Sequence, residues 1–381
     1  MRVLVLSHRD VLAALPAAAC AEAMAEVLAA RARGEAYLPL RSVMIPPDAG
    51  GFMGLMPGWR GAHDGAAAAF GLKAVCIMPG NPARGLDAHQ GIVTLFDGQT
   101  GQPTAILDAS AITERRTAAV TAVATQALAR RDARVLAILG AGTQARAHLE
   151  ALAPVRAWEQ VRIYSPTAAH ARKLADEAGV AGVAGGVIRA SAAGGVGAAG
   201  MAGGVIGARA AGEVGGGDAG GGVGAGGGGG WAGAVTVAAS AQEALAGADV
   251  VVTATSSREP VLRRDWLAAG AHVNAVGASS PSSRELDTAT VAASALFCDS
   301  RESLRNEAGE FQLAIAEGLI SGEEHVRGEL GEVLAGTAAG RGDDAELTVF
   351  RSLGLAVEDL AAAQIAVAAA AEQGLGTEIE L

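Results

Sequence analysis

The spacing of apolar positions changes character along the chain. Residues 3–6 form a short apolar run, and an Asp10-led stretch with apolar positions at roughly helical spacing continues to Gly34, so a strand and then a helix are expected. From Leu38 to Leu107 the pattern breaks into short runs (RSVMI, GFMGLMP, GLKAVCIM, GIVTLFD, TAILD) separated by Gly, Pro and Asn, with a turn pair at Asp97 and Gly98. Such runs predict an antiparallel sheet. An alanine-rich helix is expected over residues 118–131.

From Ala133 strand-like and helical segments alternate: ARVLAILG, a helix to Leu152, VRIYS, a helix to Ala178, VTVAAS, a short helix, DVVVTATS, a helix near Trp266, HVNAVGAS and ALFCDS. Alternation of this kind implies right-handed crossovers and a mostly parallel sheet. The tail reads as a loop followed by a helix over residues 356–373, which is expected to fold back on the first part of the chain. The fold class is therefore α/β: a doubly wound Rossmann domain over residues 119–345, beside an α+β domain made of residues 1–118 with 346–381.

Composition changes this picture in one place. Of the 54 glycines, 24 lie between residues 181 and 235, in a block made almost entirely of Gly, Ala and Val. It can bury too little to offset the cost of ordering its backbone, and it falls between a helix and the next strand, so a flexible insertion is expected. The formal net charge of -11 leaves no electrostatic footprint for nucleic acid or an anionic membrane surface. Cys20, Cys76 and Cys298 are isolated, which argues against a disulfide scaffold or a zinc site, and no metal is expected. With no secretory signal pattern and no long apolar span, a soluble cytoplasmic protein is expected.

Gly140-Ala141-Gly142-Thr143-Gln144-Ala145 follows a strand and opens a helix, matching GxGxxA. The first glycine permits a tight turn, the second lets backbone approach a pyrophosphate, and the small third residue lets helix and strand pack closely. Helix-start N–H groups then face the phosphates. The next strand ends in Ser165-Pro166-Thr167, with no carboxylate to bond a ribose 2′-hydroxyl. Ser165 and Thr167 can instead donate to a 2′-phosphate, with Arg172 as a possible counter-charge, so the cofactor is NADP or NAD, with NADP favoured.

Lysine usage singles out one residue. The 29 basic residues comprise 27 Arg and only Lys73 and Lys173. Where Arg supplies almost every cation, a lysine inside an apolar run is unlikely to serve charge alone. Burial can bring an ammonium to a usable pKa, whereas guanidinium keeps its proton.

The segments GFMGLMPGW, GLKAV, HQGIVTLFDGQTGQPTAILDASAITERRTAAVTA, ILGAGTQA, NAVGASSPSSRELD, LGEVLAG and TVFRSLGLAVEDLAAA resemble the ornithine cyclodeaminase/mu-crystallin family, in that family's order. The resemblance implies a substrate-binding and dimerising domain, a Rossmann domain, and hydride transfer at a carbon that bears an amine or imine beside a carboxylate. It also implies that Arg41 and Arg116 hold the substrate carboxylate, which a planar guanidinium fork fits in two bonds, and that Lys73 is the active-site lysine. Arg115 and Arg116 are expected just before the helix into the second domain. Arg115 is expected to be a solvated neighbour, and Thr117 to cap that helix or touch pyrophosphate.

Ornithine cyclodeaminases carry a carboxylate two residues before the Met-Pro of the substrate strand and an Asp two residues before the proline of the VGxxxP loop. Those positions here are Gly54 and Ser279. The local sequences resemble instead the mu-crystallin branch, which is similar to ketimine reductases. The implied reaction is reduction of a ketimine or imine of a 2-oxo acid, or its reverse, with Lys73 serving the nitrogen and Phe52, Met53 and Met56 lining the pocket. Ser279 is expected near the nicotinamide and the substrate. Ornithine cyclodeamination and non-catalytic small-molecule binding are the alternatives.

Overall fold

In the computed structural model, which describes residues 1–63, 65–184 and 233–381, two eight-stranded sheets carry the fold. The first begins with β1 (Arg2–Leu6), followed by α1 (His8–Ala14) and α2 (Ala17–Ala32) where the pattern suggested one helix. Pro16 has no N–H to donate, and the two helices diverge there by 82°. Short strands β2 (Ala36–Tyr37) and β3 (Ser42–Met44) flank an antiparallel meander of β4 (Phe52–Arg60), β5 (Ala69–Ile77), β6 (His89–Asp97) and β7 (Pro103–Asp108). Met56, Lys73 and Val93 stand in register across β4, β5 and β6. With side chains alternating along each strand, these three share one face.

The helix expected over residues 118–131 is longer and starts earlier, as α3 (Ala109–Leu128). Asp108 caps it by accepting from the Ala111 N–H at 2.8 Å. Arg115, Arg116 and Thr117 therefore lie inside a helix rather than ahead of it, and Thr117 caps nothing. The polar run TERR hid this first stretch from a reading based on apolar spacing. α3 contributes Ile112 and Val120 to the core of the first sheet and Ala118 and Ala122 to that of the second, so one helix joins the two bodies.

The second sheet is built from β8 (Val135–Leu139), α4 (Thr143–Leu152), β9 (Gln160–Tyr164), α5 (Ala168–Ala184), β10 (Ala234–Val237), α6 (Ala241–Leu245), β11 (Val250–Thr253) and β12 (His272–Ala275). A single 3-10 turn, Arg264–Trp266, stands where a helix near Trp266 was expected. The chain continues through α7 (Thr288–Ala293), β13 (Ala295–Cys298), α8 (Arg301–Glu307), α9 (Gly309–Ala316), β14 (Val326–Glu329), α10 (Leu330–Leu334) and β15 (Thr348–Arg351). Its order is β10-β9-β8-β11-β12-β15-β13-β14, with every pairing parallel. All residues of β11, β12, β13 and β15 are buried, as a sheet covered on both faces requires. The glycine-rich block expected at 181–235 yields its first residues to α5 and its last to β10; the remainder lies outside the described residues.

The strand β15, expected to be loop in the returning tail, sits inside the second sheet between β12 and β13. The tail leaves that sheet only afterwards, as α11 (Ala356–Gln373), which lies against β4, β5 and β6. Gly58 and Gly71 permit the approach: a Cβ on Gly58 would stand 3.3 Å from the Ala356 backbone, and one on Gly71 3.0 Å from Leu360 Cδ1. The chain closes with β16 (Thr377–Glu380), antiparallel to β1. Among the described residues no single helix is long and apolar enough to cross a membrane.

Candidate active site at the junction of the two sheets

The strand order reverses beside β8, and the crevice beyond the carboxyl ends of β8 and β11 is where a doubly wound sheet takes its ligand. Gly140 lies there with φ of +126°, and a Cβ on it would stand 2.4 Å from the Ala254 carbonyl oxygen, so only glycine makes this turn. Gly142 is the N-cap of α4, and a Cβ on it would meet nothing within 4 Å, so the backbone there is open to close approach by a ligand. Ala145 is fully buried, as the third small position of the motif requires. Gln144 donates to the Thr113 carbonyl at 3.4 Å, which brings the start of α4 beside α3.

One helical turn beyond Thr113, Thr117 has a buried Oγ1 with no hydrogen-bond partner among the described residues. An orphaned hydroxyl beside a helix N-terminus and an open glycine edge suits a dinucleotide phosphate, so these residues fit a nicotinamide dinucleotide. Ser165 and Thr167 follow β9, with Thr167 N donating to Ser165 Oγ at 3.4 Å and Thr167 exposed.

Two residues that the sequence reading did not single out shape the carboxyl ends of β11 and β12. Glu285 is fully buried, yet its carboxylate accepts from Thr253 Oγ1 at 2.8 Å, and from Thr255 N, Thr255 Oγ1 and Gly277 N, each at 2.7 Å. It thereby ties the end of β11 to the end of β12. Burial raises its pKa, opposed by the Thr255 bonds and the Arg351 charge. Arg351, buried on β15, donates to the Ala275 and Ser352 carbonyls at 2.9 Å and to the Ala278 carbonyl, and pairs with Glu310 at 2.5 Å. Between them these two side chains hold the 276–279 loop, on which Ser279 is exposed.

Lys73 projects from β5 into the junction, 5% exposed. Its Nζ donates to Thr113 Oγ1 on α3 at 2.5 Å and to Asp359 Oδ1 on α11 at 3.0 Å. Burial, reinforced by the Arg116 and Arg41 charges and opposed by Asp359, lowers its pKa to about 8. Arg116, also buried, donates from Nε to the same Asp359 Oδ1 at 3.1 Å and from Nη1 to Glu358 Oε2 at 3.0 Å. Burial alone would raise Asp359; Lys73 and Arg116 outweigh it and hold the carboxyl below its ordinary value. Glu358 is pushed up to about 7, mainly by burial, against the opposing pull of Arg116.

Arg41 reaches the same place from the loop ahead of β3. It donates from Nη2 to the Leu353 and Gly354 carbonyls at 2.8 Å and pairs through Nε with Glu307 at 2.8 Å. The residues it touches are fixed in turn by Asp299, whose Oδ2 accepts from Leu353 N at 2.5 Å and Gly354 N at 2.6 Å. Gly354 has φ of +81°, and a Cβ on it would stand 2.6 Å from the Arg116 guanidinium. The two arginines thus converge on one bend.

The structure brings Lys73, Met56, Arg116 and Arg41 together, with Thr117 one helical turn along α3 from Thr113 and Gln144, from the start of α4, donating to the Thr113 carbonyl. Arg115 is not solvated: it is 10% exposed and pairs with Glu150 at 2.6 Å. Gly54 stands one pair further along from Met56 on the Lys73 face, so no carboxylate projects from that position. The acidic pair Glu358-Asp359 escaped notice because two acids in the first turn of a helix read as ordinary complements to its dipole.

Residues 1–196 and 230–374 match the ornithine cyclodeaminase/mu-crystallin family. The chain is 34% identical over 332 residues to the mouse (Mus musculus) ketimine reductase mu-crystallin, covering 87% of this chain and 85% of that protein. To the iminosuccinate reductase of Paracoccus denitrificans strain Pd 1222 it is 32% identical over 379 residues, covering both chains in full at 100%. Among solved structures, the Thermococcus litoralis Delta(1)-pyrroline-2-carboxylate reductase in complex with NADH and L-proline matches with a TM-score of 0.81 and 31% identity, covering 99% of this chain and 100% of that one. The P. denitrificans iminosuccinate reductase with NAD+ matches with a TM-score of 0.79 and 31% identity, and an archaeal alanine dehydrogenase dimer with bound NAD with 0.81 and 28%, each over 100% of both chains.

Proposed function

The chain belongs to the ornithine cyclodeaminase/mu-crystallin family, and we propose that it is an NAD(P)H-dependent reductase of the ketimines or imines of 2-oxo acids, able to run in reverse as an amino-acid dehydrogenase. The observation that carries this reading is a buried lysine placed between a dinucleotide-type phosphate turn and two converging arginines. Relatives named as a ketimine reductase, an iminosuccinate reductase and a Delta(1)-pyrroline-2-carboxylate reductase support it.

Arg116 and Arg41 hold the substrate carboxylate, and the apolar wall at Met56 faces its side chain. A reduced nicotinamide, when bound, would supply a hydride for the imine carbon. As that C–H bond forms, the C=N π pair moves onto nitrogen, and the Lys73 ammonium donates its proton there. Most of the protein's own contribution is to hold the two reactants in line. Gly140, Ala141, Gly142, Thr143, Gln144 and the Thr117 hydroxyl would hold the cofactor pyrophosphate, and Ser279 would meet the substrate beside the nicotinamide.

Ser165 and Thr167, with no carboxylate beside them, support NADP(H) over NAD(H). The solved relatives hold NADH and NAD+, so both cofactors belong in the assay. Three cysteines that stay free fit a reducing, cytoplasmic setting. A homodimer is supported by the outward face of the first sheet, where Leu55, Phe70 and Ile92 are 38%, 48% and 45% exposed.

The test is oxidation of NADPH and NADH with pyrroline-2-carboxylate, piperideine-2-carboxylate and iminosuccinate, alongside ornithine with NAD. Reduction of at least one imine is expected, falling as pH rises through about 8, because Lys73 must carry its proton to act as the acid. Proline and ammonia from ornithine, with no imine reduced, would overturn the reading.

A further inference from the structure

We propose that Asp359 is a positioning residue that couples the proton donor to the carboxylate clamp, holding Lys73 and Arg116 on a single carboxylate oxygen. The proposal rests on the imine-reductase reading. Asp359 is 1% exposed at its side chain, and its Oδ1 receives Lys73 Nζ at 3.0 Å and Arg116 Nε at 3.1 Å. The three residues come from three elements, β5, α3 and α11, with 286 positions of sequence between Lys73 and Asp359.

The substrate class makes a shared anchor useful. In an imine of a 2-oxo acid, nitrogen and carboxylate are both attached to the same carbon, so their separation is fixed by covalent geometry. Lysine has a long flexible stem, and a donor free to swing would meet the nitrogen in few of its rotamers. Thr113 and Asp359 fix Nζ from two sides, and Asp359 fixes the guanidinium in the same act. Asp359 Oδ2 is buried with no hydrogen-bond partner among the described residues, so its binding capacity is turned wholly to the two cations on Oδ1.

Charge gives Asp359 a second task. The elements packed around Lys73 present Met56 from β4, Val93 and more distantly His89 from β6, Thr113 and Arg116 from α3, and Asp359 from α11, with Arg41 also adding its field. His89 itself is lowered by burial and by the Lys73 charge, and raised by Asp87. Of these groups, only Asp359 is an anion in contact with Lys73 among the described residues. Without it, burial and two arginines act on the ammonium unopposed by a contact carboxylate, and its proton is lost at lower pH.

Because the chain has only two lysines, protein labelled with 15Nζ-lysine reports Lys73 directly, with exposed Lys173 as an internal control. In Asp359→Asn the Lys73 titration midpoint is expected to fall while that of Lys173 stays. The alkaline limb of the kcat profile should move down with it, kcat should drop about 10²-fold, and the imine KM should rise. Asp359→Glu keeps the charge but displaces it by one methylene, so it should retain the midpoint and recover only part of kcat. A Lys73 midpoint unmoved or raised in Asp359→Asn overturns the proposal. If that variant does not fold, Asp359→Glu decides alone, and wild-type kcat in it overturns the proposal. Failure of wild type to reduce any imine sinks the functional reading instead, and the lysine titration, which needs no turnover, still tests Asp359.

Discussion

At the scale of single residues, the site turns on the difference between ammonium and guanidinium. Lys73→Arg preserves positive charge but supplies no group that gives up a proton, so turnover should fall about 10²- to 10⁴-fold while cofactor affinity stays within twofold. Stopped-flow hydride transfer and a cofactor titration separate these outcomes, and near-normal turnover would remove Lys73 from the chemistry. Lys73 was legible in the sequence because it is one of only two lysines, and Gly140 and Gly142 because their spacing carries its own physics. Asp359 and Glu285 were not. Each is an acid in a setting where acids are usually solvated, and only tertiary contact reveals that one holds two cations and the other four donors. Arg41 and Arg116 came from family resemblance, since arginine is too common in this chain to stand out.

The elements matter through where they end and how closely they approach. Glu285 joins the ends of β11 and β12, and replacing it with Gln puts an amide donor among four donors. That should cost about 1–3 kcal/mol, read as a lower urea midpoint, together with weaker cofactor binding. If cofactor affinity did not change, the tie would be structural only. A second prediction concerns α11. Gly71→Val would press on Leu360, since even a Cβ there would stand 3.0 Å from Cδ1, and should cost about 1–3 kcal/mol by overpacking. Since α11 carries Asp359, kcat should fall beyond what the unfolded fraction explains; activity that merely tracks the folded population would contradict this.

Strands with clear period-two runs and the βα alternation were readable, and so was α11 between residues 356 and 373. The start of α3 and the strand β15 were not. The four residues of β15, ending in Arg, read as the loop ahead of α11, until Glu310 and three carbonyls are seen to satisfy Arg351 inside the sheet.

At the scale of the whole molecule, the dimer proposal is tested on the outward face of the first sheet. Ile92→Glu places a charge among Leu55 and Phe70, and should turn a dimer into a monomer by light scattering, with the fold retained by circular dichroism. A wild type that is already monomeric at micromolar concentration would end the dimer proposal. The family match passes over residues 197–229, so their deletion should leave cofactor affinity unchanged, measured by titration. Lost binding would mean that the segment belongs to the working site.

The return of α11 also sets a timetable. Lys73 and Arg116 leave the ribosome long before their carboxylate partners at 358 and 359, and the strand β15 must first take its place in the other sheet. Until α11 docks, the Lys73 ammonium and the Arg116 guanidinium lack the carboxylate that joins them in the folded chain. The Lys73–Arg116–Asp359 cluster is therefore complete only once α11 is made and docked, so a nascent chain that has every strand of its second sheet still lacks the carboxylate that joins its two cations.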